Sequence, residues 1–132
     1  MTWLLIIRIE EWLAVGLALL GTGLGAYFAA DNNKDRMAYR SRGWNGFADL
    51  TAKIGIRSGL AKAWLHALLG VLPALGLLSP SPSSVRIVVA LVFYGTLCAA
   101  QTLPISMQLL NERDRRRLHR GLVADFDATT RP

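Results

Sequence analysis

The sequence predicts an all-α integral membrane protein with three transmembrane helices. Hydrophobic residues make up 52% of the 132 residues, and the mean hydropathy of +0.33 is high for a domain that folds in water. Three long apolar runs are separated by segments that carry most of the charge. The net charge of +6 is concentrated in two of those segments, so the charge distribution also predicts how the helices are oriented.

The first predicted span covers residues 12–30, WLAVGLALLGTGLGAYFAA, where 19 successive residues carry no formal charge. At a rise of about 1.5 Å per residue this length crosses a hydrocarbon core of about 30 Å. Gly21 and Gly25 form a GxxxG motif, which lets helix backbones approach closely, either within the chain or between copies. Glu10 and Glu11 stand where a signal peptide would carry basic residues, so we expect a retained span rather than a cleaved one.

The segment 31–62 is basic, with seven Lys or Arg against three Asp, a net charge of +4. The GWNG sequence at 43–46 predicts a turn between a basic helical piece, residues 34–42, and a second helix that begins near Phe47. Apolar residues in that second helix share one side at helical spacing, namely Phe47, Leu50, Ile54 and Ala61. The pattern fits a helix lying in the membrane interface or an extension of the second span.

The second predicted span is the shortest, residues 63–78, and contains Pro73, which should kink it. His66 is expected near the cytoplasmic end of this span, as a hydrogen-bonded helix residue rather than a proton relay. The SPSPSS sequence at 79–84 breaks the helix and provides a tight polar connector. Spans two and three are therefore predicted to form an antiparallel helical hairpin.

The third span is predicted at residues 87–110, within 25 residues that hold no Asp, Glu, Lys or Arg. One face carries polar residues and a proline at helical spacing, namely Gln101, Pro104, Gln108, Asn111 and Glu112. Pro104 should kink the helix and leave the Ala100 carbonyl unpaired, where Gln101 or Thr102 could bond to it. Gln101 and Gln108 then either form interhelical hydrogen bonds or line a water-contacting strip in an oligomeric pore.

The tail, residues 111–132, holds six Arg against four acidic residues. Five of these arginines stand together in NERDRRRLHR, namely Arg113, Arg115, Arg116, Arg117 and Arg120. Basic residues beside membrane spans remain in the cytoplasm, and three crossings place this tail and segment 31–62 on the same side of the membrane. The charges therefore predict that the N-terminus is outside and the C-terminus is inside. The arginines should also hold anionic lipid headgroups. Binding to nucleic acid is the weaker interpretation, because the basic residues flank the apolar runs.

The sequence contains no recognisable spacing of residues typical of a catalytic or metal-binding site. Cys98 is the single cysteine, so neither an intrachain disulfide nor a cysteine metal site can form. His66 and His119 lie about fifty residues apart, with no acidic or cysteine partner patterned around either. We therefore expect a protein that is not an enzyme and that uses no cofactor and no metal.

The predicted layout, with SPSPSS between the last two spans and NERDRRRLHR after the third, resembles the class I holins of tailed bacteriophages. The resemblance covers the whole chain as topology and includes no specific sequence motif. It implies a homo-oligomer in the host's cytoplasmic membrane that opens a lesion for an endolysin, without catalytic residues. Segment 31–62 is longer than the connector of a compact holin, which favours an alternative: a non-catalytic accessory or assembly subunit that binds a protein partner or anionic lipid there.

Overall fold

A computed structural model describes residues 2–78 and 84–130, which are helical almost throughout. The elements are α1 (Thr2–Ser41), α2 (Asn45–Thr51), a π-helical segment (Ala52–Ile56), α3 (Arg57–Leu78) and α4 (Ser84–Thr130). Neither described range contains a strand. Three helical stretches are long and apolar enough to cross a membrane: Thr2–Ser41, Asn45–Leu78 and Val88–Thr129. The prediction of an all-α chain with three potential spans is confirmed.

Helix α1 runs without interruption through the first apolar run and into the basic segment, and it ends at a glycine in the left-handed conformation. Gly43 has a φ of 77°, which a residue without Cβ adopts at little cost. The Gly43 amide donates to the Arg40 carbonyl (3.0 Å), and the Trp44 amide donates to the Tyr39 carbonyl (2.9 Å). These two bonds satisfy the last carbonyls of the helix. The turn predicted at GWNG is therefore present.

The second helix begins at Asn45 and continues to Leu78 through α2, the π-helical segment and α3. Residues 47–62 are thus an extension of the second candidate span, which decides between the two interpretations of this segment. The π-helical segment contains Gly55, where an added Cβ would overlap the side chain of Asn32. One extra residue in this turn and the absence of a side chain at Gly55 together make room for Asn32.

Helices α1 and α3 pack antiparallel through small residues. Ala18 meets Gly70, and Gly25 meets Gly59, so positions later in α1 meet earlier positions in α3. Eight of the buried residues of α1 recur every three or four positions: Ile7, Glu11, Ala14, Ala18, Gly21, Gly25, Phe28 and Asn32. This spacing keeps one face of a helix towards its neighbour. With glycine and alanine at the contact, the two backbones approach closely.

Residues 2–102 form one compact unit, in which the first part of α4 joins α1 and α3. Ile7 and Ala14 of α1 share a core with Tyr94 and Leu97 of α4. The connector 79–83, on which the predicted hairpin of spans two and three depends, lies outside the described residues. Residues 103–130 form a second unit, the remainder of α4.

The outward faces of the first unit are apolar. Leu19, Trp64, Leu68 and Val92 are each between 64% and 70% exposed. A protein that folds in water places such side chains inside, whereas a membrane protein directs them to lipid and packs small and polar residues between its helices. The distribution of side chains is consistent with a multi-pass membrane protein.

Candidate functional site

Polar side chains lie at three levels of the α1 and α3 interface. Glu11, His66 and Asn32 are 4%, 2% and 2% exposed, respectively. Glu11 lies beside Gly76, His66 beside Gly21, and Asn32 beside Gly55. With a rise of 1.5 Å per residue, Glu11 and Asn32 are separated by about 32 Å along α1. This separation is close to the ~30 Å thickness of a bilayer's hydrocarbon core, and Gly21 stands near its midpoint.

The Glu11 level contains an ion pair between the buried Glu11 and the half-buried Arg8. Arg8 Nη1 donates to Glu11 Oε2 (2.9 Å) and to the carbonyl oxygen of Gly76 (2.5 Å). The Tyr94 hydroxyl hydrogen-bonds to the same carboxylate. A Cβ on Gly76 would lie 2.5 Å from the Tyr94 hydroxyl and 2.6 Å from Glu11 Oε1, so this position leaves no room for a side chain. The cluster links α1, α3 and α4.

The bond to Gly76 has a simple chemical reason. In a continuing helix the Gly76 carbonyl would accept from the amide four residues later, but residue 80 is a proline and has no N–H. Arg8 supplies a donor instead. One guanidinium thus pairs with a carboxylate and satisfies a carbonyl at the end of α3, where backbone groups otherwise remain unpaired.

Cys98 and Glu10 lie at the contact of α4 with α1. The Cys98 thiol lies 3.7 Å from the Glu10 carbonyl oxygen, a geometry that suits the packing role predicted for this cysteine. The Glu10 side chain has one carboxylate oxygen, Oε2, that is buried and has no hydrogen-bond partner.

The His66 level lies at the centre of the first apolar run. A Cβ on Gly21 would overlap the imidazole ring, so the ring fills the space that the glycine leaves. His66 Nδ1 has no hydrogen-bond partner. Thr22 lies alongside, and its hydroxyl donates to the Ala18 carbonyl (2.8 Å) and to the Ala63 carbonyl (3.2 Å).

The depth of His66 in a membrane stays a prediction, and the structure gives the register of this residue against α1. The sequence suggested that the second span starts at residue 63, three residues before the histidine. In the structure the second helix starts at Asn45, and its register against α1 is fixed by glycine contacts. That register brings His66 to Gly21, the middle residue of the uncharged run 12–30.

The Asn32 level is formed at the π-helical segment. Asn32 Nδ2 donates to the Phe28 carbonyl (2.7 Å), whereas its Oδ1 atom has no hydrogen-bond partner. One turn further along α1, the Arg36 Nε atom is also buried without a partner. The level therefore offers one acceptor and one donor that are shielded from solvent.

Gln101 of α4 is fully buried, with 0% of its surface exposed. Neither Oε1 nor Nε2 of this amide has a hydrogen-bond partner. The predicted bond from Gln101 to the Ala100 carbonyl is therefore not formed, while the Thr102 hydroxyl donates to the Cys98 carbonyl (2.7 Å). In the single chain, Gln101 faces neither lipid nor water.

In the second unit, Gln108 is 5% exposed and its Oε1 atom has no partner. Glu112, one turn later, pairs with Arg115, whose Nε donates to Glu112 Oε1 (3.0 Å), and lies 3.6 Å from the Nε of Arg116. Four arginines of the predicted cluster are exposed, namely Arg113, Arg116, Arg117 and Arg120, and Arg115 is half-buried. Arg115 and Arg116 pair with Glu112, whereas Arg113, Arg117 and Arg120 are the outward arginines, defined by their exposure.

The remaining predicted residues lie as follows. Gly21 and Gly25 both contact α3 within one chain, through His66 and through Gly59 and Ala63. Pro73 is buried in α3, and Pro104 is half-buried in α4; both helices continue through their proline. The described residues contain no group of three or more His, Cys, Asp or Glu placed to hold a metal ion.

Sequence reasoning missed the ion pair of Arg8 and Glu11, because both residues precede the uncharged run. A signal was present: Glu11 continues, towards the N-terminus, the three- and four-residue spacing of Ala14, Ala18 and Gly21. Chemically, the arrangement holds one satisfied ion pair and several unsatisfied amide and imidazole atoms inside an apolar bundle. Such atoms would gain hydrogen bonds if water or another chain reached them.

These helices define a class, the helical proteins able to cross a membrane three times. Comparison of the chain with protein-family models, with curated proteins and with solved structures finds no match in any of the three.

Proposed function

We propose that the chain is a holin-like membrane protein, which assembles from several copies in a bacterial cytoplasmic membrane and permeabilises it for an endolysin. The observation that carries this proposal is Gln101, buried completely with both amide atoms unpaired. In this proposal the single chain is the closed form. The lesion is formed by copies whose helices have separated and whose polar side chains contact water.

The energetic argument is that the closed form contains unpaired polar groups. A buried group without a hydrogen-bond partner costs about 1–3 kcal/mol, and Gln101 has two such atoms while His66 and Asn32 have one each. The closed bundle is held by close helix packing and by the Arg8–Glu11 pair. A water-lined assembly would supply partners to the amide and imidazole atoms, so opening has a favourable term to offset the lost packing.

In this proposal the glycine face of Gly21 and Gly25 serves both of the alternatives that the sequence left open, packing within the chain and packing between copies. Gly21 and Gly25 are covered by α3 in the single chain, so they offer no surface to a second copy of the closed form. Once α1 and α3 separate, the same small residues can receive a helix from another copy. Oligomerisation then follows opening and does not precede it.

The proposed orientation, N-terminus outside and C-terminus inside, is supported by the basic segment 31–62 and the basic tail. It is tested with single cysteines in a Cys98→Ala background. Ser81→Cys should react with an impermeant maleimide added to intact cells, and Ser41→Cys should react only after lysis. The reverse pattern would refute the orientation.

The permeabilising function is tested by induced expression in bacteria, following membrane potential and release of a co-expressed endolysin. Gln101→Leu should insert as well as the unmutated chain, because hydrocarbon accepts leucine readily, but should abolish release. Thr96→Val is the matched control, since Thr96 is exposed on the same helix and bonds only locally, to the Val92 carbonyl. Gln108→Leu is examined separately, as Gln108 belongs to the second unit.

A second candidate function, an accessory or assembly subunit, is favoured by the surface near the turn. Phe47, Leu50 and Ile54 are 47%, 52% and 63% exposed, and Lys53 and Arg57 are exposed beside them. Apolar side chains bordered by cations suit an acidic protein partner or anionic lipid. If the unmutated protein accumulates in the membrane without depolarising cells or releasing endolysin, this function replaces the first.

A further inference from the structure

His66 is an ionisable residue in the interior of an apolar bundle. It is 2% exposed and its Nδ1 atom has no hydrogen-bond partner. The ring lies against Gly21, the middle residue of the uncharged run 12–30. Ionisable residues at such a depth are costly to charge and are commonly functional. The proposed permeabilisation assigns this imidazole a hydrogen bond to water and gives its protonation no role.

Along α1, α3 and α4, no charged residue lies within three residues of the positions level with His66. Helix α1 presents Gly21 and Thr22 there and carries no charged residue between Glu11 and Asp31. Helix α4 carries no Asp, Glu, Lys or Arg between residues 87 and 111, and its titratable groups from 87 to 102 are the Tyr94 phenol and the Cys98 thiol. On α3 itself, the nearest charged residue is Lys62, one turn away. An imidazolium at this position would thus have no carboxylate to pair with.

We propose that protonation of His66 separates α1 from α3, so that acidification drives the bundle from its closed form towards an open form. The ring packs on Gly21 and is 2% exposed, so a charge on it would be shielded from water in the closed form. The closed form therefore holds the neutral imidazole, whereas an open, hydrated form accepts the imidazolium. Since the open form binds the additional proton, lower pH favours it. The link between this opening and permeabilisation rests on the proposed function.

The size of the effect follows from the titration of imidazole. A hydrated imidazole titrates near pH 6.5. If only the open form is protonated, lowering the pH from 7.5 to 5.5 raises the ratio of open to closed molecules about tenfold. The His66→Gln variant keeps a polar side chain of similar size without a titrating group. Its ratio of open to closed molecules should not change between these pH values.

The opening is measured directly by electron spin resonance distances in nanodiscs that contain anionic lipid. Spin labels are placed at Leu19→Cys and Leu68→Cys in a Cys98→Ala background, because both leucines are more than 60% exposed and lie on turns that flank the Gly21–His66 contact. At pH 5.5 a longer distance should gain population about tenfold relative to the short one. His66→Gln and His66→Asn should keep the short distance at both pH values, and His119→Gln is the matched control that should behave as the unmutated chain.

Dye release from vesicles of the same lipid separates this inference from the proposed function. Opening on acidification with release, both lost in His66→Gln, supports both proposals. Opening on acidification that depends on His66 but releases no dye supports the histidine switch and contradicts the holin-like function. An interlabel distance that is the same at pH 7.5 and 5.5, or that changes equally in His66→Gln, overturns the histidine proposal whether or not dye is released.

Discussion

Gly25→Ala should destabilise the bundle by about 2 kcal/mol, because the added methyl group has no space. Its Cβ would lie 2.7 Å from the Gly59 carbonyl oxygen and 2.9 Å from the Ala63 Cβ, where ordinary contact begins at 3.4 Å. Helices α1 and α3 must therefore move apart by about 0.7 Å at this point, and overpacking of this kind typically costs 1–3 kcal/mol. A loss of about 2 kcal/mol changes the ratio of folded to unfolded molecules roughly thirtyfold.

Gly23→Ala is the matched control for this prediction. Gly23 lies two residues away on the exposed side of the same helix, and an added Cβ meets nothing within 4 Å. The same chemical change should there be neutral or slightly stabilising, since alanine favours helix over glycine by up to about 1 kcal/mol. Both variants are compared by reversible unfolding in mixed micelles, followed by circular dichroism over a detergent titration. Equal free energies of unfolding for the two variants would refute the close packing of α1 on α3.

Three further predictions concern the cluster at the end of α3, the turn and the tail. Arg8→Gln should lower the free energy of unfolding by about 2 kcal/mol in the same titration, because the buried Glu11 carboxylate and the Gly76 carbonyl lose a charged donor. An unchanged free energy of unfolding would contradict a stabilising role for this ion pair. Gly43→Ala should cost about 1 kcal/mol, since alanine resists the left-handed conformation, whereas Gly46→Ala, in open space within α2, should not. Replacing the outward arginines together (Arg113, Arg117 and Arg120) with Gln should weaken sedimentation with anionic vesicles, less so as salt rises, and identical binding at low salt would exclude headgroup contact.

The features that sequence could predict are those set by local patterns. Uncharged length and hydropathy identified the three candidate spans, because the need to satisfy backbone groups in lipid makes such runs helical. The turn at GWNG followed from a glycine that can take a positive φ. Both signals act within a few residues and need no knowledge of what the helices contact.

The interior of the bundle could not be predicted in the same way, because it depends on register between helices. His66 lies beside Gly21 because Gly59 and Gly70, one or two turns away on α3, contact α1 and fix the register of the two helices. Arg8 belongs to the bundle because a carbonyl 68 residues away needs a donor. Of the residues predicted to share a face of the third span, Gln101, Gln108 and Glu112 are buried, whereas Asn111 is exposed. Their partners, or lack of them, are properties of packing.

The π-helical segment Ala52–Ile56 bears on how this chain tolerates changes in length. A π turn holds one residue more than an α turn, so α2 is rotated by about 100° from the direction that an uninterrupted α-helix would give it. Elsewhere in a packed helix, loss of one residue shifts every later contact. Loss of one residue here would convert the segment to ordinary α-helix and leave the register of α3 on α1 intact. Ala48 would rotate out of its buried position, and the apolar side chains beside the turn would point in a new direction. Variants one residue shorter in this segment are thus expected to retain the packing of α3 on α1. They should differ in which side chains of α2 are exposed.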